Sequence, residues 1–397
     1  MPHLSALSGQ MPASPIRKLV PFADEAKKRG IKIYHLNIGQ PDIKTPENVL
    51  QKLKSLDLDV IGYTKSQGTD SYREKLAEYY RKNGIDVSAQ DIIVTTGGSE
   101  ALLFTIGSIA DPGDEIIIPE PYYANYNSFV TLFKVKVVPV PSSIDTNFAL
   151  PPVEALEEMI SPRTKAILYS NPSNPTGYVY TKEEVKKLRD LALKHDIFII
   201  SDEVYREFIY EGGQHHSILH QEGMENHGII VDSVSKRFSM CGARIGNVVS
   251  KNKELMKSVL KFAQSRLSPP ALEQILSEEA LDTSESYFEE VIAEYKRRRD
   301  LLIEGLQSIP GVKIGYPKGA FYIIAELPVD DADDFARWML SEFHDNKETV
   351  MVAPASGFYS NPALGKKQVR IAYVLNTRDL ARSVEILRKA LDTYNKR

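Results

Sequence analysis

The sequence predicts an α/β fold: a three-layer sandwich with a mostly parallel, doubly wound sheet, together with a smaller α+β domain. Short β-branched apolar runs alternate with amphipathic stretches from about residue 91 onwards, which is the pattern of strands separated by helices. An Asp-Pro-Gly-Asp turn signal at 111–114 separates two of these units. Alternation at this spacing is typical of a parallel sheet that carries helices on both faces.

The elements of the large sheet follow in chain order. Seven runs are predicted as strands: Ile92–Val94, Glu115–Ile118, Val135–Val140, Ala166–Tyr169, Ile197–Ile200, Ile229–Val231 and Asn247–Val249. A helix is predicted between the fourth and fifth runs, because Thr181 followed by Glu184 three residues later is a capping box.

The pattern changes after two consecutive prolines at 269 and 270. A long, charged amphipathic helix is predicted over roughly 284–308. Strands are predicted near Phe321–Ile324 and Gln368–Tyr373, and the acidic cluster Asp330–Asp334 is typical of a solvated helix start. We therefore expect three parts: 1–46 as an N-terminal arm and part of the small domain, 47–283 as the large domain, and 284–397 as the C-terminal small domain.

Composition and charge favour a small-molecule enzyme. The chain has 49 basic and 53 acidic residues, a formal charge of −4, so it lacks the basic surface of a nucleic-acid-binding protein and the charge block of a membrane-surface protein. Its one cysteine, Cys241, fits a reducing compartment. With neither a signal peptide nor an apolar run of about 18 residues, the sequence predicts a cytoplasmic location.

Polar residues follow the predicted strands, where ligands of open α/β sheets bind. After Ile92–Val94 come Gly98 and Ser99 at a predicted helix start, whose free N–H groups and dipole favour an anion. An ordinary tight turn with a serine cap is the alternative for these two residues. After the next strand come Tyr122 and Tyr123, one of which would stack on a flat heteroaromatic ring, although a core or rim tyrosine has the same appearance in sequence.

Two further strand ends carry an amide and an acid. Asn174 lies in the segment Asn171–Gly177, whose two Asn-Pro steps stiffen the loop and would aim the amide inwards. Asp202 ends a buried strand, where it would pair with a protonated ring nitrogen. Tyr205, three residues later, would reach a phenolic oxygen on the same ring.

Metal binding is the alternative role for a strand-end acid. No ligand cluster accompanies the acid, and the four histidines of the following segment lack the spacing of a zinc site. These histidines are His215, His216, His220 and His227. We expect no metal.

Lys236 follows the strand that ends at Val231 and lies among hydroxyl groups, ahead of a glycine and Arg244. An amine held in a fixed loop is what Schiff-base chemistry with a carbonyl needs. The hydroxyl groups of this segment and Arg244 would hold a phosphate by charge-assisted hydrogen bonds. For this segment alone, a solvated Lys-Arg pair at the end of a strand is the alternative.

One cofactor would use all of these groups. Pyridoxal 5′-phosphate has an aldehyde for the lysine, a phosphate for the helix start and the arginine, a ring nitrogen for the acid, and a ring hydroxyl for the tyrosine and the amide. The order of the residues therefore predicts a pyridoxal phosphate site.

The motifs also resemble, over essentially the whole chain, those of the class I aminotransferases among the fold-type-I pyridoxal phosphate enzymes. The segments that carry the resemblance are Leu36–Asp42, Tyr63-Thr64 with Gly68, Thr96–Glu100, Asn171–Gly177, Ser201–Tyr205, Ser233–Gly246 and Val369–Ile371. Within the family, the chain looks most like the bacterial aspartate aminotransferase-like proteins.

The resemblance implies a role for each candidate residue. Lys236 would form the Schiff base with the cofactor, Asp202 would keep the ring nitrogen protonated, and Tyr205 and Asn174 would bond the ring oxygen. Tyr123 would stack on the ring. The phosphate would be bound by Gly98, Ser99, Ser233 and Arg244. Gly39, Asn174 and Arg370 would hold the substrate α-carboxylate. Tyr63 would reach the phosphate from the partner subunit, which makes a homodimer part of the active site.

The implied activity is transfer of the amino group of an L-amino acid to a 2-oxo acid, by family habit 2-oxoglutarate, in a ping-pong cycle. A β-eliminating carbon-sulfur lyase is the main alternative, because it shares nearly every cofactor residue. A non-catalytic sensor module of a transcription regulator is the second alternative. Such modules carry an N-terminal DNA-binding domain, and the segment ahead of Gly39 is too short for one.

The amino donor is less well defined by the sequence. Bacterial aspartate aminotransferases of this type tend to carry a threonine near the N-terminus and a lysine after the double glycine, where this chain has Ile16 and Ser99. Arg17 or Arg266 would have to supply the missing positive charge. We therefore expect aspartate or a broader range of donors, including uncharged and aromatic ones.

Overall fold

The computed structural model describes residues 2–397 and contains three β-sheets. The strands are β1 (Lys32–His35), β2 (Ile92–Thr95), β3 (Glu115–Glu120), β4 (Lys136–Pro141), β5 (Thr164–Ser170), β6 (Phe198–Asp202), β7 (Gly228–Ser233), β8 (Gly246–Val249), β9 (Lys313–Ile314), β10 (Tyr322–Glu326), β11 (Glu348–Met351), β12 (Ala353–Pro354) and β13 (Gln368–Ala372). The helices are α1 (Ala6–Gln10), α2 (Val20–Lys28), α3 (Glu47–Lys54), α4 (Asp70–Lys82), α5 (Gly97–Ile109), α6 (Asn125–Leu132), α7 (Val153–Glu158), α8 (Lys182–His195), α9 (Val234–Arg237), α10 (Lys253–Arg266), α11 (Ala271–Ala280), α12 (Glu285–Gln307), α13 (Ala332–Ser341) and α14 (Thr377–Tyr394).

The largest sheet has seven strands in the order β2-β8-β7-β6-β5-β3-β4. Strand β8 runs antiparallel to both of its neighbours, and every other pair in this sheet is parallel. A four-stranded antiparallel sheet has the order β12-β13-β10-β9, and β1 pairs with β11. The predicted α/β fold, with a mostly parallel sheet and a smaller α+β part, is confirmed.

Helices cover both faces of the large sheet because alternate side chains of its strands point to opposite sides. Ile199 of β6 packs in one buried cluster with Val185 and Leu188 of α8. Ile200, the next residue, packs in a second cluster with Val259 of α10. Strands that are apolar on both faces are typical of parallel sheets covered on both sides. The result is the three-layer sandwich.

A third buried cluster surrounds the smaller sheet. It joins Leu302 of α12, Ile323 of β10, Ile371 of β13 and Leu387 of α14. The N-terminal segment packs here too, because Leu19 is buried in the same cluster and β1 pairs with β11. The predicted domain boundaries at 46 and 283 themselves stay predictions.

The seven predicted strands of the large sheet are all present, with ends that differ by one or two residues. The capping box is confirmed, since the Thr181 hydroxyl accepts from the Glu184 amide while the Glu184 carboxylate accepts from the Thr181 amide. The acidic cluster is also a helix start, because Asp331 caps α13. Strands β1, β9, β11 and β12 were not predicted, since each is short and several carry charged residues. Within residues 2–397, every helix is too short or too polar to cross a membrane.

Candidate active site

A cavity of about 350 Å³ opens at the carboxyl ends of β5, β6 and β7. Eleven of the twelve predicted site residues line it. They are Gly39, Gly98, Ser99, Tyr123, Asn174, Asp202, Tyr205, Ser233, Lys236, Arg244 and Arg370. These residues come from ten separate points in the chain, so the fold brings together nearly everything that the motifs indicated. Their individual roles stay predictions.

Lys236 lies on α9, a single helical turn that directly follows β7. Its Nζ donates a hydrogen bond to the Gly39 carbonyl at 2.9 Å, and the Sγ of Cys241 is 3.5 Å away. The next residue, Arg237, is buried and pairs with Asp232 at 2.5 Å and with Glu207 at 2.7 Å. Because a buried charge left unpaired is very costly, this pairing holds the Arg237 side chain in place next to Lys236.

Asp202 ends β6 and is buried at the base of the cavity. Its carboxylate accepts a hydrogen bond from the Tyr126 hydroxyl at 2.7 Å and a long one from the Val204 amide at 3.4 Å. Burial raises the pKa of Asp202 to about 6, although the Tyr126 bond and the charge of Lys236 oppose this change. Among residues 2–397 no cation bonds to this carboxylate, so it suits a protonated ring nitrogen.

The predicted anion site lies where α5 begins. Thr96, the residue directly before this helix, makes no side-chain cap to the first N–H groups, and Gly98 and Ser99 of the first turn line the cavity. Gly97 has a φ of +76°, and a Cβ there would lie 2.5 Å from Nη2 of Arg244. A glycine is therefore needed for the guanidinium to lie over the helix start. An arginine and a positive helix end at one point are a binding site for a phosphate dianion.

Arg370 of β13 is buried, and its guanidinium lies close to two aromatic rings. Its carbon lies 4.5 Å from the ring centre of Tyr322 and 5.0 Å from that of Phe358. One Nη donates to Oδ1 of Asn174 at 3.0 Å and the other to the Asn37 carbonyl at 2.6 Å. The Nε has no partner among the described residues. A planar cation held this way at the cavity wall suits a carboxylate.

The two predicted ring-contacting tyrosines also face the cavity. The Tyr205 hydroxyl is 2.8 Å from that of Tyr322, and burial raises the pKa of Tyr205 well above its ordinary value. Tyr123 accepts a hydrogen bond from Asn125 at 2.9 Å and meets Tyr126 edge to face. Stacking by Tyr123 and bonding of a ring oxygen by Tyr205 stay predictions.

Tyr63 is the one predicted residue that does not line the cavity. It is 86% exposed in the single chain. Sequence reasoning also missed Tyr126 and Tyr322. Tyr126 lies three residues after Tyr123 on α6, and no pattern in the sequence links it to Asp202. Tyr322 lies within a predicted strand and is apolar enough to be taken for core.

The large sheet, with polar and charged groups gathered at the carboxyl ends of its strands, has the architecture of an α/β enzyme. The sequence profile of the family described as aminotransferase class I and II matches residues 31–387, and the chain belongs to this family.

Named relatives agree with this membership. The aspartate aminotransferase of Pyrococcus horikoshii is 34% identical over 91% of each chain. The aspartate/prephenate aminotransferase of Thermus thermophilus is 36% identical over 93% of this chain and 92% of that one. The aromatic-amino-acid aminotransferase 2 of Thermococcus litoralis is 33% identical over 95% of each. A solved structure of the Thermus thermophilus aspartate aminotransferase with maleate has a TM-score of 0.89 at 33% identity, covering 98% of this chain and 100% of that one.

The raised pKa of Asp202 predicts a pH-dependent stability for the protein stripped of cofactor. Because the folded state holds this proton more tightly than the unfolded state, stability should fall as pH rises from about 4 to about 6. At about 1.4 kcal/mol per pKa unit, Asp202→Asn should recover up to about 3 kcal/mol at pH 7 and nothing at pH 3.5. Urea unfolding of both proteins across this range measures the difference. If the free energy of unfolding changed with pH in the same way for both proteins, Asp202 would not be the titrating group.

Proposed function

We propose that this aminotransferase binds pyridoxal 5′-phosphate in the cavity and moves the amino group of an L-amino acid to a 2-oxo acid, with 2-oxoglutarate as the acceptor. The observation that carries the proposal is one cavity lined by an amine, Lys236, a buried carboxylate, Asp202, and a buried guanidinium, Arg370. These groups match the three parts that amino transfer needs: a proton carrier, a partner for the ring nitrogen, and a carboxylate binder.

The residues present fit the cofactor. The open start of α5 and Arg244, with Gly98, Ser99 and Ser233 beside them, would hold the phosphate. Asp202 has no cationic partner among the described residues and would hold the proton of the ring nitrogen. When bound, the cofactor supplies an electron-withdrawing ring that stabilises negative charge at the α-carbon of the substrate.

Side chains of the protein would bind the substrate and transfer the proton. Arg370 would bind the α-carboxylate, with the amide of Asn174 and the backbone of Gly39 beside it, and so fix the α-carbon in place. The Nζ of Lys236 would then take the proton from that carbon and return it later in the cycle. Asp202, with its bond from Tyr126, would keep the ring nitrogen protonated throughout, and Tyr205 would donate to the ring oxygen.

A panel of amino donors tests this proposal. We expect the purified protein with added cofactor to form glutamate from 2-oxoglutarate in an amount equal to the 2-oxo acid produced from the donor. The named relatives act on aspartate, prephenate or aromatic amino acids, which supports including acidic, aromatic and small donors. Release of pyruvate and ammonia from a cysteine conjugate, without any need for an oxo acid, would indicate the lyase instead. Cofactor binding without either reaction would indicate the sensor module.

A homodimer with shared sites is part of the proposal. The segment before Thr64 exposes large apolar side chains: Val60 is 79% exposed, Ile61 64% and Tyr63 86%. Adjacent exposed apolar residues of this kind are typical of a surface covered by a partner. In a two-fold dimer, both copies would present the same segment, so each Tyr63 would reach the phosphate site of the other chain.

Mixing two inactive variants tests the shared site. We expect Lys236→Ala and Tyr63→Ala chains, each of low activity alone, to recover activity when unfolded and refolded together, because each mixed dimer has one site with both residues intact. Random pairing in equal amounts predicts about one quarter of the wild-type activity. A mixture of Lys236→Ala with Lys236→Met is the control and should stay inactive. A chain that sediments as an active monomer would contradict the shared site.

A further inference from the structure

Four cationic side chains line the cavity, and the proposed function uses three of them. Lys236, Arg244 and Arg370 have roles toward the amino group, the phosphate and the α-carboxylate. The fourth is Arg17. Its backbone bonds to Ser14 and Val20, but among residues 2–397 its guanidinium has no hydrogen bond and no ion pair. This is a positive charge at the cavity with no partner in the part of the chain that the structure describes.

The residues around Arg17 are fixed in place. Pro15 packs so closely on Gly357 that a Cβ there would lie 2.2 Å from the proline ring. Ile16 packs against a buried cluster that includes Phe358, one of the two rings that hold the guanidinium of Arg370. On the other side, Lys18 forms an ion pair with Asp333. The path of the chain therefore places Arg17 at the cavity.

The charges of Arg17 and Arg370 act on the same part of the cavity. Burial raises the pKa of Tyr123 to about 12, and the positive charges of Arg370 and of Arg17 both oppose this rise. The wall also includes the apolar side chains of Ile16, Ile38 and Leu102, and the Asn125 amide, which donates to the Tyr123 hydroxyl at 2.9 Å, carries no charge. A negative group near Tyr123 would therefore meet Arg17.

Arg266, the other arginine considered from the sequence, already has partners within the chain. Its Nη1 lies 3.5 Å from the carboxylate of Glu100, and its Nη2 donates to the Ser66 carbonyl at 3.0 Å. It does not line the cavity. Arg17 is thus the better candidate for reading a second negative charge on the substrate.

We propose that Arg17 binds the side-chain carboxylate of four- and five-carbon dicarboxylic substrates, both amino acid and 2-oxo acid. This inference rests on the proposed function, since Arg370 must hold the α-carboxylate. Arg17 is exposed and has no partner to lose, so a donor with an uncharged side chain leaves it in water at little cost. One site then accepts a dicarboxylic acceptor together with neutral or aromatic donors.

The test compares donors in the holoenzyme carrying Arg17→Met. In single-turnover half-reactions, kcat/KM for aspartate, glutamate and 2-oxoglutarate should fall about 10- to 100-fold, the usual loss for a hydrogen bond to a charged group. For alanine and phenylalanine it should change less than about threefold. Arg17→Lys should recover part of the loss for the acidic substrates. Lys18→Met, which removes the neighbouring charge that faces Asp333, is the matched control and should behave as wild type.

Binding of maleate gives a second readout that needs no turnover. Calorimetric titration should show weaker maleate binding to Arg17→Met than to the wild-type holoenzyme by a similar factor, with acetate unchanged. An equal loss for acidic and neutral donors, no loss for any, or the same loss in Lys18→Met would overturn the proposal. A wild-type protein that transfers no amino group but binds maleate through Arg17 would instead contradict the proposed function and leave the Arg17 site standing.

Discussion

Replacing Lys236 by alanine is expected to lower turnover by up to about 10⁴-fold. Among residues 2–397, the Nζ of Lys236 is the one amine at the cavity, and it lies 2.9 Å from the Gly39 carbonyl. A group that carries the proton of the reacting carbon contributes up to about 10⁴-fold to the rate. The phosphate site at Arg244 and the start of α5 is untouched, so the variant should still bind cofactor. Steady-state amino transfer from the best donor measures the loss.

Two controls separate this loss from misfolding. Borohydride reduction followed by peptide mass spectrometry should attach the cofactor to residue 236 in the wild type and to no residue in Lys236→Ala. Lys257→Ala, which changes an exposed lysine of α10, should keep full activity. If Lys236→Ala still turned over at the wild-type rate, the proposed function would be wrong.

Replacing Arg370 by glutamine is expected to lower kcat/KM for every amino donor, whatever its side chain. Arg370 is buried close to two aromatic rings, and the substrate carboxylate would lose its main partner. Truncating one side of a desolvated charge pair typically costs about 2 to 5 kcal/mol, so kcat/KM should fall roughly 30- to 5,000-fold. The value of kcat/KM should fall by the same factor for neutral and for acidic donors, in contrast to the selective effect expected for substitution of Arg17.

The Arg370 prediction is checked with the same donor panel. Arg337→Gln, which removes an exposed arginine of α13, is the control. Thermal unfolding should accompany the kinetics, because Arg370 also packs against Tyr322 and Phe358 and its loss will lower stability. If Arg370→Gln lowered kcat/KM only for acidic donors, Arg370 would be the residue that binds the side-chain carboxylate. Arg17 and Arg370 would then have each other's proposed role.

The large sheet and most of the site could be predicted because they depend on the same local signal. In a parallel sheet buried on both faces, each strand is a continuous apolar run, and the polar residue that ends it is at the ligand edge. Asp202 and the residues that follow β7 are placed by this rule alone. The family resemblance added Tyr63, Gly39 and Arg370, which lie outside that pattern.

What could not be predicted depends on contacts between distant parts of the chain. The bond from Tyr126 to Asp202 joins a helix to a strand 76 positions later. The bond between Tyr205 and Tyr322 spans 117 positions and crosses from the large sheet to the small one. The choice between Arg17 and Arg266 also required the structure, since only the partners of each side chain show which charge is free.

The ion pairs of Arg237 have a consequence for how the neighbouring amine can move. The side chain of Arg237 is tied to Asp232 and Glu207, so we expect the main chain beside Lys236 to stay in place during the reaction. Displacement of the amine would then come from rotation about the four-carbon stem of Lys236. The reach of the amine would be set by side-chain length, and a shorter amine at this position would be expected to fall short of the substrate.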